Sequence, residues 1–141
     1  MNRIPENLRR VIIQMAAGRC EYCGLSQEGQ EATFHIDHVI PVKAGGETSE
    51  ENLALACVSC SLRKAARRTA IDPQNSREVP LDNPRRESCR EHLRWEGVHL
   101  VGLTASGRAT VEALAMNRPL ILAIRREAVA LGRHPSPENF S

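Results

Sequence analysis

Aromatic residues are scarce in this chain of 141 residues, because phenylalanine, tryptophan and tyrosine together make up 3% of it. Proteins that read single-stranded RNA stack the unpaired bases on aromatic rings, so the composition argues against that class of function. The apolar fraction is 41%, which is enough for a core. Such a core must be built mainly from aliphatic side chains.

Long apolar runs are also missing, since none approaches the roughly 18 residues that a membrane-spanning helix needs. The first residues, MNRIPENLRRVIIQM, place charges on both sides of a short apolar stretch and contain no small-residue cleavage site. We interpret them as a helix rather than a signal peptide, and expect a cytoplasmic protein without a membrane partner. The net charge of +2 is mild, so any affinity for nucleic acid must come from local clusters of charge.

An odd number of cysteines, five, and the absence of a signal peptide argue against a disulfide framework. Four of them form two C-x-x-C pairs: the first knuckle, Cys20 to Cys23, and the second knuckle, Cys57 to Cys60. Two such pairs supply four thiolates, which can close a tetrahedral site around structural Zn²⁺. The remaining cysteine, Cys89, is expected to be a reduced, packed thiol.

The spacing of apolar residues and of helix-ending residues predicts the order of elements. In the first half of the chain we expect a helix over residues 5–17 that ends at Gly18, a strand over 34–40, a loop over 42–51 and a helix over 59–69. In the second half we expect an irregular segment over 71–88, a strand over 98–103, a helix over 105–116 capped by Thr104, and a last helix from Pro119 to Leu131. We expect residues 1–70 to form the zinc-bound core and residues 71–141 to form an extension that packs on it.

Three polar residues interrupt the predicted strand, in the stretch FHIDHVIP: His35, Asp37 and His38. A buried strand has little use for such side chains unless they do chemistry, although a lone histidine is more often a hydrogen-bonded core residue. Hydrolysis of a phosphodiester needs a base to deprotonate water and a cation to stabilise the phosphate. A histidine and a carboxylate can provide the base and the ligand of the cation.

A basic segment follows the second knuckle, and residues 54–70 contain no aspartate or glutamate. Its cations are Arg63, Lys64, Arg67 and Arg68. They can form a solvated helix face, but the lack of acidic neighbours favours contact with the phosphates of a nucleic acid.

The order of these motifs resembles the HNH endonuclease family, the ββα-metal nucleases. The resemblance lies in C-x-x-C, then HIDHVIPVKAGGETSEENLALACVSC, then LRK, and it extends over roughly residues 4–130. It implies an α+β fold with a treble-clef-like ββα-metal core and a structural zinc. An N-terminal helix and a C-terminal extension of strand and helices would complete the fold.

The same resemblance assigns roles to the polar residues. It implies that His38 is the general base, that Asp37 binds the catalytic Mg²⁺ or Mn²⁺, and that Asn52 orients His38. Where the family usually has asparagine or histidine as a second ligand of that metal, this sequence has Ser61. His35 shares a strand face with Asp37 and is a possible accessory ligand.

We therefore expect a metal-dependent endonuclease that cleaves double-stranded DNA and leaves a 5′-phosphate. A non-catalytic DNA-binding module that lost its activity through Ser61 is one alternative. A zinc-stabilised protein-interaction domain, whose basic face meets an acidic partner, is another. The sequence leaves the DNA sequence specificity, the biological pathway and the oligomeric state open.

Overall fold

The structure is a computed structural model that describes residues 4–86 and 89–134, without the side chains of residues 89 and 90. Its described residues divide into two compact units. Residues 4–68 and 83–86 form the first unit, and residues 69–82 and 89–134 form the second. The expectation for the Cys89 thiol lies outside the described side chains. The assignment of a core to residues 1–70 and of a packed extension to residues 71–141 stays a prediction.

The first helix, α1 (Glu6–Met15), begins after Pro5, whose φ of −57° suits the start of a helix. The helix is shorter than predicted because the chain turns into positive φ at Ala17 and Gly18. It buries Ile12 completely, whereas Met15, three residues later, is 48% exposed.

A ββα arrangement follows, as the family resemblance implies. Strand β1 (His35–His38) pairs antiparallel with strand β2 (Leu53–Ala56), with His35 opposite Ala56 and His38 opposite Leu53. Helix α2 (Val58–Lys64) comes directly after β2. The fold of this unit is α+β with a ββα core, and its buried apolar residues are mostly aliphatic.

Helix α2 ends earlier than the predicted residue 69. Ala65, directly after the helix, has a φ of +48°, which a continuing right-handed helix does not allow. Arg67 and Arg68 therefore lie beyond the helix rather than on one of its faces, and the prediction of one continuous basic helix is wrong.

The connection from β1 to β2 contains two short 3-10 turns, Val42–Ala44 and Glu50–Asn52. Two adjacent glycines lie between them, and each is needed for a different reason. Gly45 has a φ of +89°, in the left-handed region. At Gly46 a Cβ atom would lie 1.7 Å from the carbonyl oxygen of Ile40, so no side chain fits there.

The second unit consists of two hairpins and three helices in its described residues. The first hairpin pairs β3 (Thr69–Ile71) with β4 (Glu78–Pro80), and the second pairs β5 (Leu93–Glu96) with β6 (His99–Gly102). The three helices are α3 (Cys89–His92), α4 (Ala105–Ala113) and α5 (Pro119–Ala130). The predicted strand 98–103 and the two last helices are confirmed. So is the cap by Thr104, whose side chain accepts a hydrogen bond from the backbone N–H of Gly107. The prediction that residues 71–88 are irregular is wrong at β4.

Buried polar contacts hold this second unit together. Arg108 donates two hydrogen bonds, of 3.0 and 2.8 Å, to the fully buried carboxylate of Asp72. Arg125 is 2% exposed and donates a hydrogen bond to the carbonyl of Val98. Its guanidinium carbon lies 4.9 Å from the centroid of the Trp95 ring. None of the helices in the described residues has the length and apolar character needed to cross a membrane.

Candidate functional site

The four knuckle cysteines converge in the first unit. Their Sγ atoms all lie within 4.8 Å of one another and are buried, and the Sγ atoms of Cys23 and Cys57 are 3.8 Å apart. A tetrahedral zinc site with Zn–S bonds of about 2.3 Å has sulfur atoms about 3.8 Å apart, so the cluster fits that ion. The four cysteines can therefore hold a structural zinc.

Each knuckle also orients its own sulfur. The backbone N–H of Cys23 donates to the Sγ of Cys20, and the backbone N–H of Cys60 donates to the Sγ of Cys57, both at 3.4 Å. Burial raises the pKa of the Cys20 thiol, whereas hydrogen bonds with the other three thiols lower the pKa of Cys57. Four buried thiolates repel one another, so a divalent cation is what allows all four to ionise together.

The Asp37 carboxylate has two partners on the same oxygen atom, and one of them, Tyr22, lies in the first knuckle. The hydroxyl of Tyr22 donates to Oδ2 at 3.0 Å, and the ammonium group of Lys64 lies 3.1 Å from Oδ2. No hydrogen-bond partner of the other oxygen, Oδ1, occurs among the described residues. Asp37 therefore has one oxygen that is held and one that remains available to a ligand.

Lys64 does not contact solvent, contrary to the expected role in phosphate binding. Its side chain is 2% exposed, and its ammonium group donates to the backbone carbonyl of His38 at 3.1 Å in addition to the ion pair with Asp37. We therefore remove Lys64 from the set of residues expected to contact DNA. Arg63, Arg67 and Arg68 are exposed, as that role requires.

The imidazole of His38 lies at the end of β1. Its Nε2 atom is 2.9 Å from the hydroxyl oxygen of Thr48, and Nδ1 has no hydrogen-bond partner in the part of the chain that the structure describes. A ring that donates from Nε2 to Thr48 carries a lone pair on Nδ1, and a proton acceptor needs that lone pair.

Asn52 makes contacts other than those expected. Its Oδ1 accepts from the backbone N–H of Ile40, and its Nδ2 donates to the carbonyls of Ile40 and Glu47. It does not reach the His38 ring in this structure, where Thr48 is the contact. Asn52 acts instead on the loop that carries Thr48, so any effect on the His38 ring is indirect.

Replacing Asn52 with alanine removes all three of these hydrogen bonds from a residue that is 8% exposed. We expect the free energy of unfolding to fall by about 2 kcal/mol, because backbone groups of the loop lose their partners. Urea denaturation measures this loss. Asn75→Ala, which removes one hydrogen bond in an exposed turn, is the matched control and should cost less. Equal stability of the two variants would contradict the proposed role of Asn52 in the loop.

His35 and Ser61 form a second pair of polar side chains in this unit. The Nδ1 atom of His35 is 2.9 Å from the hydroxyl oxygen of Ser61, and His35 is exposed. The structure thus brings together the accessory residue and the residue at the expected ligand position. In the described residues, the four cysteines are the single group of three or more histidine, cysteine, aspartate or glutamate side chains whose ligand atoms converge.

The model of the HNH endonuclease family matches residues 20–67. These residues form an HNH endonuclease domain. The HNH domain contains both knuckles, the β1–β2 hairpin and α2, and it ends one residue before Arg68. Its presence supports a nuclease-type function and metal binding in general.

The chain is also similar to a distant curated relative. The chain is 20% identical over 113 residues to the Septu protein PtuB of Bacillus thuringiensis. The matched part covers 79% of this chain and 41% of that protein, so the chain spans about two-fifths of the relative's length. The match extends beyond the HNH domain, because 113 residues exceed the length of the segment from 20 to 67.

Sequence reasoning missed the contacts of three residues in this unit. Tyr22 lies inside the first knuckle, and Thr48 lies in a loop that gave no apolar pattern. Arg85 is remote in sequence, and its guanidinium group contacts the carboxylate of Glu21 and donates to the carbonyl of Leu53. Only the position of Tyr22 between two cysteines could have drawn attention to it beforehand.

Proposed function

We propose that this protein is a metal-dependent HNH endonuclease that hydrolyses phosphodiester bonds of double-stranded DNA. The observation that carries the proposal is the pair of adjacent residues at the end of β1. Among the described residues, no hydrogen-bond partner reaches Oδ1 of Asp37 or Nδ1 of His38, while Oδ2 and Nε2 are held by neighbouring side chains. A site for hydrolysis needs one oxygen ligand for a cation and one proton acceptor for water.

His38 is the general base in this proposal. In this proposal Nε2–H donates to the Thr48 hydroxyl, 2.9 Å away, and Nδ1 keeps the lone pair that takes a proton from the attacking water. Lys64 restrains the backbone at the same residue through the carbonyl of His38. Asn52 restrains the loop from the other side.

Asp37 is the main protein ligand of the catalytic cation, through Oδ1. Ser61 adds a hydroxyl oxygen and His35 an accessory nitrogen. One carboxylate and one hydroxyl suit Mg²⁺ or Mn²⁺, which keep several water ligands and bind the substrate phosphate directly. Such a cation, when bound, neutralises charge on the phosphate and on the leaving oxygen.

The exposed arginines after the second knuckle are proposed to contact the DNA backbone. Arg63 lies in the last turn of α2, and Arg67 and Arg68 lie in the segment that follows it. Guanidinium groups bind phosphate oxygens in a bidentate manner, and the duplex presents phosphates at regular spacing. The scarcity of aromatic residues disfavours a substrate whose bases must be stacked.

Replacing Arg67 with glutamine should weaken DNA binding and reduce its dependence on salt. Each phosphate contact contributes about 0.9 to the slope of log K against log salt concentration, so the slope should fall by about that amount. Fluorescence anisotropy with a labelled duplex, in a series of salt concentrations without divalent cation, measures the slope. Arg126→Gln, an exposed arginine of α5, is the control and should leave it unchanged. Identical slopes for Arg67→Gln and wild type would remove Arg67 from the interface.

A nicking assay tests the function as a whole. Supercoiled plasmid is incubated with zinc-loaded protein in Mg²⁺, in Mn²⁺ and in EDTA, next to the variant Asp37→Asn. We expect cleavage that needs the cation and is lost in Asp37→Asn. DNA ligase should seal the ends, because it requires the 5′-phosphate that the proposed reaction leaves. Cleavage that persists in EDTA would contradict the proposed mechanism.

The variant Ser61→Asn separates the two alternatives from a nuclease with a weakened site. Activity in Ser61→Asn but not in the wild type would mean that the hydroxyl of Ser61 is too weak a ligand. Inactivity of both proteins, together with salt-sensitive binding of duplex DNA, would indicate the non-catalytic DNA-binding module. Inactivity without DNA binding would indicate the protein-interaction domain.

A further inference from the structure

Tyr22 lies in the first knuckle of the cysteine cluster and contacts Asp37 of the proposed nuclease site. It lies between Cys20 and Cys23 in the first knuckle, so its backbone position is fixed when those two sulfurs share a zinc ion. Its side chain is 3% exposed, and its hydroxyl donates to the Oδ2 of Asp37 at 3.0 Å. A buried phenol commonly forms a hydrogen bond with a polar partner. Here the partner is the carboxylate of Asp37, which is proposed to bind the catalytic cation.

Lys64 makes the corresponding connection from the second knuckle. It is the last residue of α2, four positions after Cys60, and the helix places its ammonium group 3.1 Å from the same Oδ2 atom. Both partners thus converge on one oxygen, from the two chain segments that the zinc ion would join. An ion pair with a side chain that is 2% exposed leaves the carboxylate little freedom to rotate.

We propose that Tyr22 is a positioning residue for the nuclease site, which acts with Lys64 to hold Asp37 by Oδ2 and leave Oδ1 for the catalytic cation. The proposal rests on the proposed function, because it takes Asp37 as a ligand of that cation. It gives the zinc cluster a second role, since the two knuckles then set the orientation of the catalytic carboxylate as well as the fold. Partners that orient a metal ligand commonly change metal affinity by about 10- to 100-fold.

The first test compares Mn²⁺ affinity in zinc-loaded wild type, Tyr22→Phe, Asp37→Asn and Ser26→Ala, from the electron paramagnetic resonance signal of free Mn²⁺. Tyr22→Phe removes one hydroxyl and no charge, and its zinc content is measured alongside. We expect Mn²⁺ affinity to fall by about 10- to 100-fold in Tyr22→Phe at full zinc content. Ser26→Ala removes a hydroxyl close to the first knuckle without touching Asp37, and should bind Mn²⁺ like the wild type.

The second test takes its main readout from the wild-type protein, with Asp37→Asn as its control. Tyr22 is the single tyrosine of the chain, so protein made with ring-¹³C tyrosine shows one set of aromatic tyrosine signals. Titration with Mg²⁺ should shift these signals, because the cation draws charge from the carboxylate to which the phenol donates. The shift should be absent in Asp37→Asn.

The outcomes separate this proposal from the proposed function. Weaker Mn²⁺ binding in both Asp37→Asn and Tyr22→Phe, with a Mg²⁺-dependent tyrosine shift, supports both. Weaker binding in Asp37→Asn alone, with no tyrosine shift, overturns the positioning role and leaves the nuclease proposal intact. Wild-type Mn²⁺ affinity in Asp37→Asn overturns both, because Asp37 is then not the ligand.

Discussion

Serine in place of Cys60 should unfold the unit that carries the HNH domain rather than slow a folded enzyme. The variant removes one of four buried sulfurs that lie within 4.8 Å of one another, and three remaining thiolates hold zinc much less tightly. We expect loss of bound zinc and loss of most of the circular dichroism signal from this unit. Zinc content and thermal unfolding, measured on the same preparation, provide the check.

The size of the unit explains why the expected effect is so large. A unit of about 70 residues rarely obtains more than about 3–5 kcal/mol of stability from its apolar core alone. Structural zinc contributes about 10–16 kcal/mol of apparent binding free energy in zinc-finger peptides near neutral pH. The aliphatic core around Ile12 and Leu53 therefore cannot compensate for the lost metal.

Cys89→Ser is the matched control, because Cys89 lies outside both C-x-x-C pairs. We expect it to keep a full zinc content. A Cys60→Ser protein that stays folded without zinc would contradict a structural role for the metal. Chelation of zinc from the wild type should reproduce the result for Cys60→Ser, since both remove the same ion.

The features that the sequence predicts well have short-range signals. The two knuckles are defined by spacing within four residues, and the sulfur cluster follows from that spacing and from the four-coordinate geometry of zinc. The cap at Thr104 and the proline at the start of α5 are likewise local signals. Both features appear in the structure where the sequence places them.

The features that the sequence does not reveal depend on contacts between distant residues. Lys64 looks like a surface cation because its neighbours in sequence are basic, but its partners are Asp37 and His38, 27 and 26 positions away. Asn52 has the residue type needed to orient a histidine ring, yet the fold directs its amide to the backbone of the loop. Side-chain partners of this kind are set by the packing of the hairpin against α2, which has no signature in a local pattern.

Short strands are the other element that local patterns miss. Strand β4 spans three residues, ends in a proline and has an exposed glutamate at its start, so it offers no alternation of apolar and polar residues to detect. Its pairing with β3 arises because the turn between them is closed by Asp72, whose backbone groups bond to Ser76 and Arg77. The residues of that turn were visible in the sequence, but the pairing was not.

The second large effect is expected for His38→Ala, which should reduce the rate of DNA cleavage by about 10²- to 10⁴-fold. The variant removes the nitrogen proposed to accept the proton of the attacking water, while the zinc cluster and Asp37 keep their contacts. DNA affinity should change little, because the proposed backbone contacts come from the arginines after the second knuckle. Single-turnover cleavage at saturating enzyme, in Mg²⁺, measures the rate without the binding step.

A base can be told from a merely structural histidine by chemical rescue. Added imidazole should restore part of the activity of His38→Ala, because the small molecule can occupy the cavity and accept the proton. His99→Ala, an exposed histidine of β6, is the matched control and should neither lose activity nor respond to imidazole. A large loss in His38→Ala without rescue, together with a lower unfolding temperature, would indicate that His38 supports the fold instead.

Thr48, whose hydroxyl contacts the His38 ring, allows a further test of His38 as the general base. Thr48→Val keeps the shape of the side chain and removes the hydroxyl that lies 2.9 Å from Nε2, so the imidazole loses the contact proposed to favour the tautomer with a free Nδ1 lone pair. We expect cleavage to slow by about 10- to 100-fold in Thr48→Val and to recover in Thr48→Ser, which restores the hydroxyl. If Thr48→Val cleaves DNA at the wild-type rate, the tautomer of His38 is set by some other contact, and Nδ1 loses its assignment as the proton acceptor.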